Sequence, residues 1–360
     1  MANISRQRGV GNSGSHANGT INLLIVDDSV VVRTMLARML GEHPAFTVSG
    51  QADRAERAIE WLAHNRADIV LLDIEMPDRD GLAALADIIS AGNGARIVMV
   101  SSSTAQGASV TLRALAGGAA DAVAKPAVGA LGRSFAVDLI DRLLRIGPAD
   151  HDGKATRAGE FVVREVATGP VSCVAVGAST GGLHALATFF AALPRSFDTP
   201  ILVTQHLPAA FMPFFADQLA TMSGRSCCVA RDAAVAAPGS IHVAPGDAHL
   251  VCERRGSRIM TRLHAGEVAN RSLPSVDPMF ASVAEVFGEG GVGVVLSGMG
   301  RDGMEGAAML AAIGADVIVQ DEASSVIWGM PGVVARAGLA SLCGPADALA
   351  RHLARRGPSL

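Results

Sequence analysis

Between Ile21 and Ile146 the chain alternates short apolar runs with stretches in which apolar residues recur every three or four positions. The runs NLLIV, FTVSG, DIVLL, RIVMV and DAVA have the length of strands, and largely apolar runs suit strands covered on both faces. Between the first two lies Val30 to Leu40, where Val32, Leu36, Met39 and Leu40 fall at helical spacing. Strand and helix in alternation predict five βα units around a parallel sheet. From Gly147 to Gly169 the periodicity stops and Gly, Pro and charged residues gather, which predicts a linker with one short ordered turn near Phe161 to Val166. From Val171 the alternation resumes through VSCVAVGAS, PILVTQHL, SIHVAPG, GVGVVLSGMG and ADVIVQ. The pattern predicts an α/β chain of two doubly wound parallel-sheet domains at 21–146 and 170–356. A linker at 147–169 joins them, and a polar Gly/Asn/Ser-rich tail at 1–20 precedes them.

Composition narrows the class. With 49% hydrophobic and 18% charged residues, both halves can bury a core and neither reads as disordered. A net charge of −4 supplies no general field for nucleic acid or an anionic membrane, and no basic patch stands out, so no nucleic-acid partner is expected. The first twenty residues lack the apolar stretch of a secretory signal, and no apolar run is long enough to span a bilayer, so no membrane insertion is expected. Five cysteines without Cys-x-x-Cys spacing disfavour a disulfide framework or structural zinc, and the expected location is the reducing cytoplasm.

The ends of the predicted strands carry the chemistry. Asp27 and Asp28 close the first, Asp73 the third, Ser101 the fourth and Lys125 the fifth. Open parallel sheets bind ligands outside the carboxyl ends of their strands, so these five side chains should meet on one rim. Taken singly each acid reads as a solvated loop residue; three converging carboxylates need a cation, and an oxygen-only set suits Mg²⁺. Lys125 can then pair with phosphoryl oxygens. The ordered runs Asp27-Asp28-Ser29, Leu72-Asp73-Ile74-Glu75-Met76-Pro77, Val100-Ser101-Ser102 and Lys125-Pro126 closely resemble the flavodoxin-like receiver domain of two-component response regulators. The resemblance implies that Asp73 is the phosphorylated residue, that Asp27, Asp28 and Asp73 hold Mg²⁺, and that Ser101 and Lys125 sense the phosphoryl group. It also implies a histidine kinase as phosphodonor. Three residues before Lys125, where many receivers carry a switching Tyr or Phe, this chain has Ala122.

In the second half, Val176-Gly177-Ala178-Ser179-Thr180-Gly181-Gly182 links an apolar run to the helical pattern LHALATFFAAL. Ser179 thus falls on a strand-to-helix turn whose glycines allow a sharp bend and whose helix N-terminus favours developing negative charge. The pattern G-x-S-x-G alone serves ordinary tight turns equally well. A serine nucleophile needs an imidazole base oriented by a carboxylate. His206 ends the next strand and is the favoured base, whereas His184 reads as a packed or exposed helical residue and His242 and His249 read as structural. Asp302 follows the Gly-rich turn Leu296-Ser297-Gly298-Met299-Gly300-Arg301; its alternative role is to cap the next helix. Backbone N–H groups at Thr180, Met299 and Gly300 are candidate oxyanion or substrate donors.

The segments GASTGG, QHLP, HVAPGDAHL, LPSVDPMF, LSGMGRDG and GMP, in that order after a receiver and a linker, resemble the chemotaxis protein-glutamate methylesterases of the CheB family. The resemblance implies a Ser179, His206 and Asp302 triad that hydrolyses glutamate γ-methyl esters on the cytoplasmic helices of chemoreceptors, without a cofactor for that step. It further implies release of methanol, deamidation of receptor glutamines, and control by phosphorylation of Asp73. Departures fall in NRSLPSVD and in GVVARAG after GMP, outside the triad, where they bear on substrate recognition.

Overall fold

The computed structural model describes residues 20–102, 105–125, 133–147 and 163–357; the tail at 1–19 and most of the linker lie outside them. The first sheet contains β1 (Ile21–Val26), β2 (Phe46–Ala52), β3 (Ile69–Asp73), β4 (Arg96–Ser102) and β5 (Asp121–Lys125), all parallel, in the order β2-β1-β3-β4-β5. Helices α1 (Val30–Gly41), α2 (Ala55–His64), α3 (Gly81–Gly92), α4 (Ala105–Ala116) and α5 (Arg133–Ile146) connect and follow the strands. Alternate residues of the strands face opposite layers. Leu23, Ile25, Ile69, Leu71, Val98 and Val100 pack with Leu36 and Leu40 of α1 and Leu139 and Leu143 of α5. Leu24, Val26, Val70, Leu72, Ile97 and Met99 pack toward α2, α3 and α4. Double coverage explains why β3 is buried at all five positions and reads as an unbroken apolar run ending in an acid.

The second half is built on β6 (Cys173–Ala178), β7 (Ile201–Gln205), β8 (Cys227–Val229), β9 (Ala234–Val235), β10 (Ile241–Val243), β11 (His249–Arg255), β12 (Arg258–His264), β13 (Gly291–Val295), β14 (Asp316–Gln320) and β15 (Leu342–Gly344). Seven of these form a parallel sheet in the order β15-β14-β13-β6-β7-β10-β8. One face carries α6 (Gly182–Ala192), α7 (Met212–Ser223) and α11 (Ala346–Arg356); the other carries α8 (Val276–Phe287), α9 (Met304–Ala312) and α10 (Met330–Arg336). Both sheets are therefore doubly wound. The chain leaves β6 toward β7 and later returns to its other side as β13, so β6 marks the reversal of strand order, where such sheets bind ligands.

A three-stranded antiparallel sheet, β11-β12-β9, is absent from the sequence reading. Its hairpin turns at Gly256, whose φ of +61° suits glycine, and its exposed strands carry Glu and Arg among apolar residues, so no continuous run announces them. Of the turn expected near Phe161 to Val166, Phe161 and Val162 lie outside the described residues; from Val163 on the backbone is extended past the second half, where Arg164 donates its backbone N–H to Ala340 O at 2.9 Å and its guanidinium to Ala315 O and Leu339 O.

The two halves touch along the β5 side of the first sheet. Ala120 O accepts the Gly181 N–H at 3.1 Å, His184 Nδ1 lies 3.2 Å from Ala116 O, and Arg145 Nη1 lies 3.8 Å from Met299 Sδ. The apolar layer beneath α2 to α4 runs on without a break into the layer beneath α6 and α7.

Candidate active site and phosphoacceptor site

On the first rim, Asp27 and Asp73 are buried and Asp28 is exposed, and one carboxylate oxygen from each lies within 4.8 Å of the others. Lys125 Nζ bridges two of them, 2.9 Å from Asp27 Oδ2 and 2.6 Å from Asp73 Oδ2. Burial pushes the Asp73 carboxyl up to about 6, against the pull of Lys125. Burial works to lower the Lys125 ammonium, but Asp73 and Asp27 outweigh it and hold it above its ordinary value. Gly81 opens α3 directly behind this site: a Cβ there would sit 2.0 Å from Asp73 O, so only glycine lets the helix start against the strand end. Three close carboxylate oxygens with hard-donor chemistry fit a small divalent cation such as Mg²⁺. Ser101 is the penultimate residue of β4, but its side chain falls outside the described ones.

On the second rim, Ser179 follows β6 and precedes α6, whose N-cap Gly181 has φ +74°. The turn is held from several sides. Ser179 N–H donates to Ser297 O at 3.0 Å, Ser179 O accepts from Gly182 N and from Gln205 Nε2 at 2.9 Å, and Ser297 Oγ donates to Thr180 O. Gln320 Oε1 in turn accepts the Ser297 N–H at 2.7 Å. His206 follows β7 with its backbone N–H on Ala178 O at 3.2 Å, one residue from Ser179. Its ring Nε2 meets Asp302 Oδ2 at 2.7 Å.

Asp302 is buried in a cradle of donors at the start of α8. Its Oδ1 accepts from Ser275 Oγ and Asn270 Nδ2, both at 2.7 Å, and its Oδ2 accepts from Val276 N at 2.9 Å as well as from His206. Burial is the largest influence and works to raise this carboxyl, but the His206, Ser275 and Val276 hydrogen bonds together hold it down at about 2. Asp302 therefore accepts the first N–H groups of α8, whose N-cap is Ser275, and does not cap the helix that follows it, whose N-cap is Gly303. His249 is structural, as read from the sequence: its Nδ1 accepts the Ser275 N–H at 2.9 Å and its Nε2 faces Gly266 O.

Ser179, Thr180, His206 and Met299 line one cavity of about 680 Å³ together with Ala120, Ala122, Arg142 and Arg145 of the first half. Thus Ala122, at the position of the missing aromatic, faces the space beside Ser179. Among the described residues no hydrogen bond joins Ser179 Oγ to His206, and the N–H groups of Thr180, Met299 and Gly300 donate none. Sequence reading missed Gln205, Gln320, Asn270 and Ser275. Asn270 and Ser275 lie in NRSLPSVD, so that departure borders Asp302 and is not remote from it.

Comparison with known proteins identifies the family. The CheB methylesterase model matches residues 174–353 and the response regulator receiver domain model matches residues 23–131. A protein-glutamate methylesterase/protein-glutamine glutaminase of Caulobacter vibrioides is 41% identical over 94% of this chain and 100% of its own length. The chain belongs to the CheB methylesterase family. A second CheB relative bearing the same name, from Rhodospirillum rubrum, is 37% identical over 94% of this chain and 95% of its own. The crystal structure of the Thermotoga maritima CheB methylesterase catalytic domain matches with a TM-score of 0.50 at 32% identity, over 51% of this chain and 98% of that one. The CheB match spans β6 through most of α11, and hence Ser179, His206, Asn270 and Asp302.

Proposed function

We propose that this chain hydrolyses glutamate γ-methyl esters on the cytoplasmic helices of chemoreceptors, releasing methanol, and deamidates receptor glutamines at the same site. The observation that carries the reading is the hydrogen bond from His206 Nε2 to the buried, ionised Asp302, set one residue across from the Ser179 turn. In this reading 21–146 is the receiver, 147–169 the linker and 170–356 the catalytic domain.

With Nε2 committed to Asp302, Nδ1 is the ring atom left to serve Ser179. Ser179 Oγ attacks the γ-carbonyl carbon as its proton passes to His206, and the Asp302 carboxylate stabilises the imidazolium. The carbonyl oxygen becomes an oxyanion taken by N–H groups of Thr180, Met299 and Gly300. Collapse breaks the C–O bond, and His206 returns the proton to the departing methoxide as methanol. Water, activated by the same imidazole, then frees the glutamate carboxylate and restores the serine. A glutamine side chain follows the same course with ammonia as leaving group. The missing hydrogen bond between Ser179 Oγ and His206 accords with a resting site, since such bonds often form or tighten only with substrate bound.

Control is assigned to Asp73. Asp27, Asp28 and Asp73 would hold Mg²⁺, which would supply charge neutralisation for phosphoryl transfer from a histidine kinase. In this reading Lys125 pairs with the phosphoryl oxygens and Ser101 senses them. Unphosphorylated, the receiver rests Ala120 and Arg145 against the Ser179 turn and Met299. Added charge at Asp73 shifts the receiver away. A cytoplasmic location follows from this substrate, and no described helix is long and apolar enough to cross a membrane.

Methanol release from methylated receptor tests the whole reading. Ser179→Ala is expected to abolish it in a folded protein, and Asp73→Asn to leave basal release while removing stimulation by a small phosphodonor with Mg²⁺. Undiminished release from the first variant overturns the serine mechanism; equal stimulation of the second overturns control at Asp73.

A further inference from the structure

We propose that Asn270 is a positioning residue of the ester hydrolysis, its amide fixing the Asp302 carboxylate that orients His206. The inference rests on the assignment of Ser179, His206 and Asp302 above and adds a residue that assignment does not contain.

The Asn270 amide has its bonds directed in three ways. Nδ2 donates to Asp302 Oδ1 at 2.7 Å and to Asp277 Oδ2 at 2.8 Å, with Ser275 Oγ more distant at 3.3 Å, while Oδ1 accepts the Ser272 N–H at 2.7 Å. The Ser272 donor settles which end of the amide is oxygen, because a backbone N–H can only donate. Both amide hydrogens then point at carboxylates.

Those carboxylates face each other across the amide. Asp277 is raised to about 6, by burial first and by the charge of Asp302 in addition, although the Gly306 N–H on its Oδ1 at 2.9 Å works the other way. Two acids so close compete for ionisation, and the competition has to favour Asp302 if His206 is to be oriented. An amide that donates to both satisfies the pair without adding a charge. Arg271, next in sequence, adopts φ +58° and turns the chain so that Ser272 N reaches back to the amide. Ser275 and Val276 hold Asp302 from the helix side, so Asn270 closes the side that the helix leaves open.

The test is steady-state methanol release by the full chain activated with phosphodonor, for Asn270→Ala and Asn270→Asp. Loss of a residue that orients another group commonly costs about 10- to 100-fold. That loss is expected in kcat, with KM held within about twofold, because Asn270 does not line the cavity that holds Ser179. Asn270→Asp keeps the shape but replaces the donating nitrogen by oxygen. A donor role predicts that it is at least as impaired as Asn270→Ala, whereas a space-filling role predicts near wild-type kcat, which would overturn the proposal. An unchanged kcat, or a change confined to KM, would overturn it equally.

Asp277→Asn keeps the argument testable if neither variant folds. Its carbonyl can still take the Gly306 N–H, but its amide nitrogen then opposes that of Asn270 and turns it away from Asp302. A lowered kcat at constant KM supports the proposal and a wild-type kcat sinks it. Ser179→Ala, assayed in parallel, separates the two readings: if it retains turnover the serine mechanism fails, whereas if it is inactive while the Asn270 variants match wild type, only the present inference fails.

Discussion

Asp73 is 2% exposed, and its carboxyl is raised to about 6 from an ordinary 3.8, by burial against the pull of Lys125. Between those two values the native state binds more protons than the unfolded chain, so stability falls as pH rises through the window, and the deficit is complete above about 6. Asp73→Asn removes the deficit and leaves Lys125 paired with Asp27 at 2.9 Å. Without divalent cations, thermal melts are therefore expected to show the variant more stable than wild type at pH 7, with the gap shrinking toward pH 4; a gap independent of pH would count against burial as its cause. Readability at this scale follows sequence distance. Asp73, Ser179, His206 and Asp302 each stand where an apolar run breaks, which local pattern reveals. Asn270 lies in an aperiodic segment 32 residues before Asp302, and only folding brings the two together.

Elements place these residues by close backbone approach. At Gly298, after β13, a Cβ would meet Met330 Sδ at 2.5 Å and the Ser179 Cβ and N at 3.0 and 3.1 Å. The sulfur can swing aside; the Ser179 backbone, bonded to Ser297 O, cannot move without disturbing the turn. Gly298→Ala is expected to cost about 1–3 kcal/mol of stability, as overpacking does, and to lower kcat more than it raises KM. Denaturant unfolding together with ester turnover checks both parts. The inner parallel strands were readable because coverage on two faces makes them continuously apolar, as in β3 and β6, whereas β8 and β15, three-residue strands at the two ends of the seven-stranded sheet, went unread. The β11–β12 hairpin escaped because it is partly exposed and its Glu and Arg interrupt the apolar pattern.

At the scale of the whole molecule, three polar contacts among the described residues join the halves beside the continuous apolar layer. Ala120 O takes a main-chain N–H, while His184 and Arg145 each supply one side-chain contact. Hydrogen bonds of this sort contribute about 0.5–1.5 kcal/mol each. Removing both side chains in Arg145→Ala/His184→Ala should release about 1–3 kcal/mol of closing free energy, a shift of roughly 5- to 150-fold in the closed-to-open ratio. The expected result is a severalfold rise in methanol release without phosphodonor and little change with it; an unchanged basal rate would show that these contacts do not gate the site. No single motif announces this contact surface. Its residues come from α4, the turn before β5, α5 and α6, and become neighbours only when two separately patterned sheets meet.

The carbonyl of Ala120 and the N–H of Gly181 belong to one molecule, so their meeting does not depend on how much protein is present. Tethering gives such a pair an effective concentration up to the order of millimolar, whatever the concentration in bulk. On the proposed control, the covered fraction is then the same in a cell that makes few copies and in one that makes many. Expression level scales the number of molecules that can respond, and leaves the sensitivity of each one untouched.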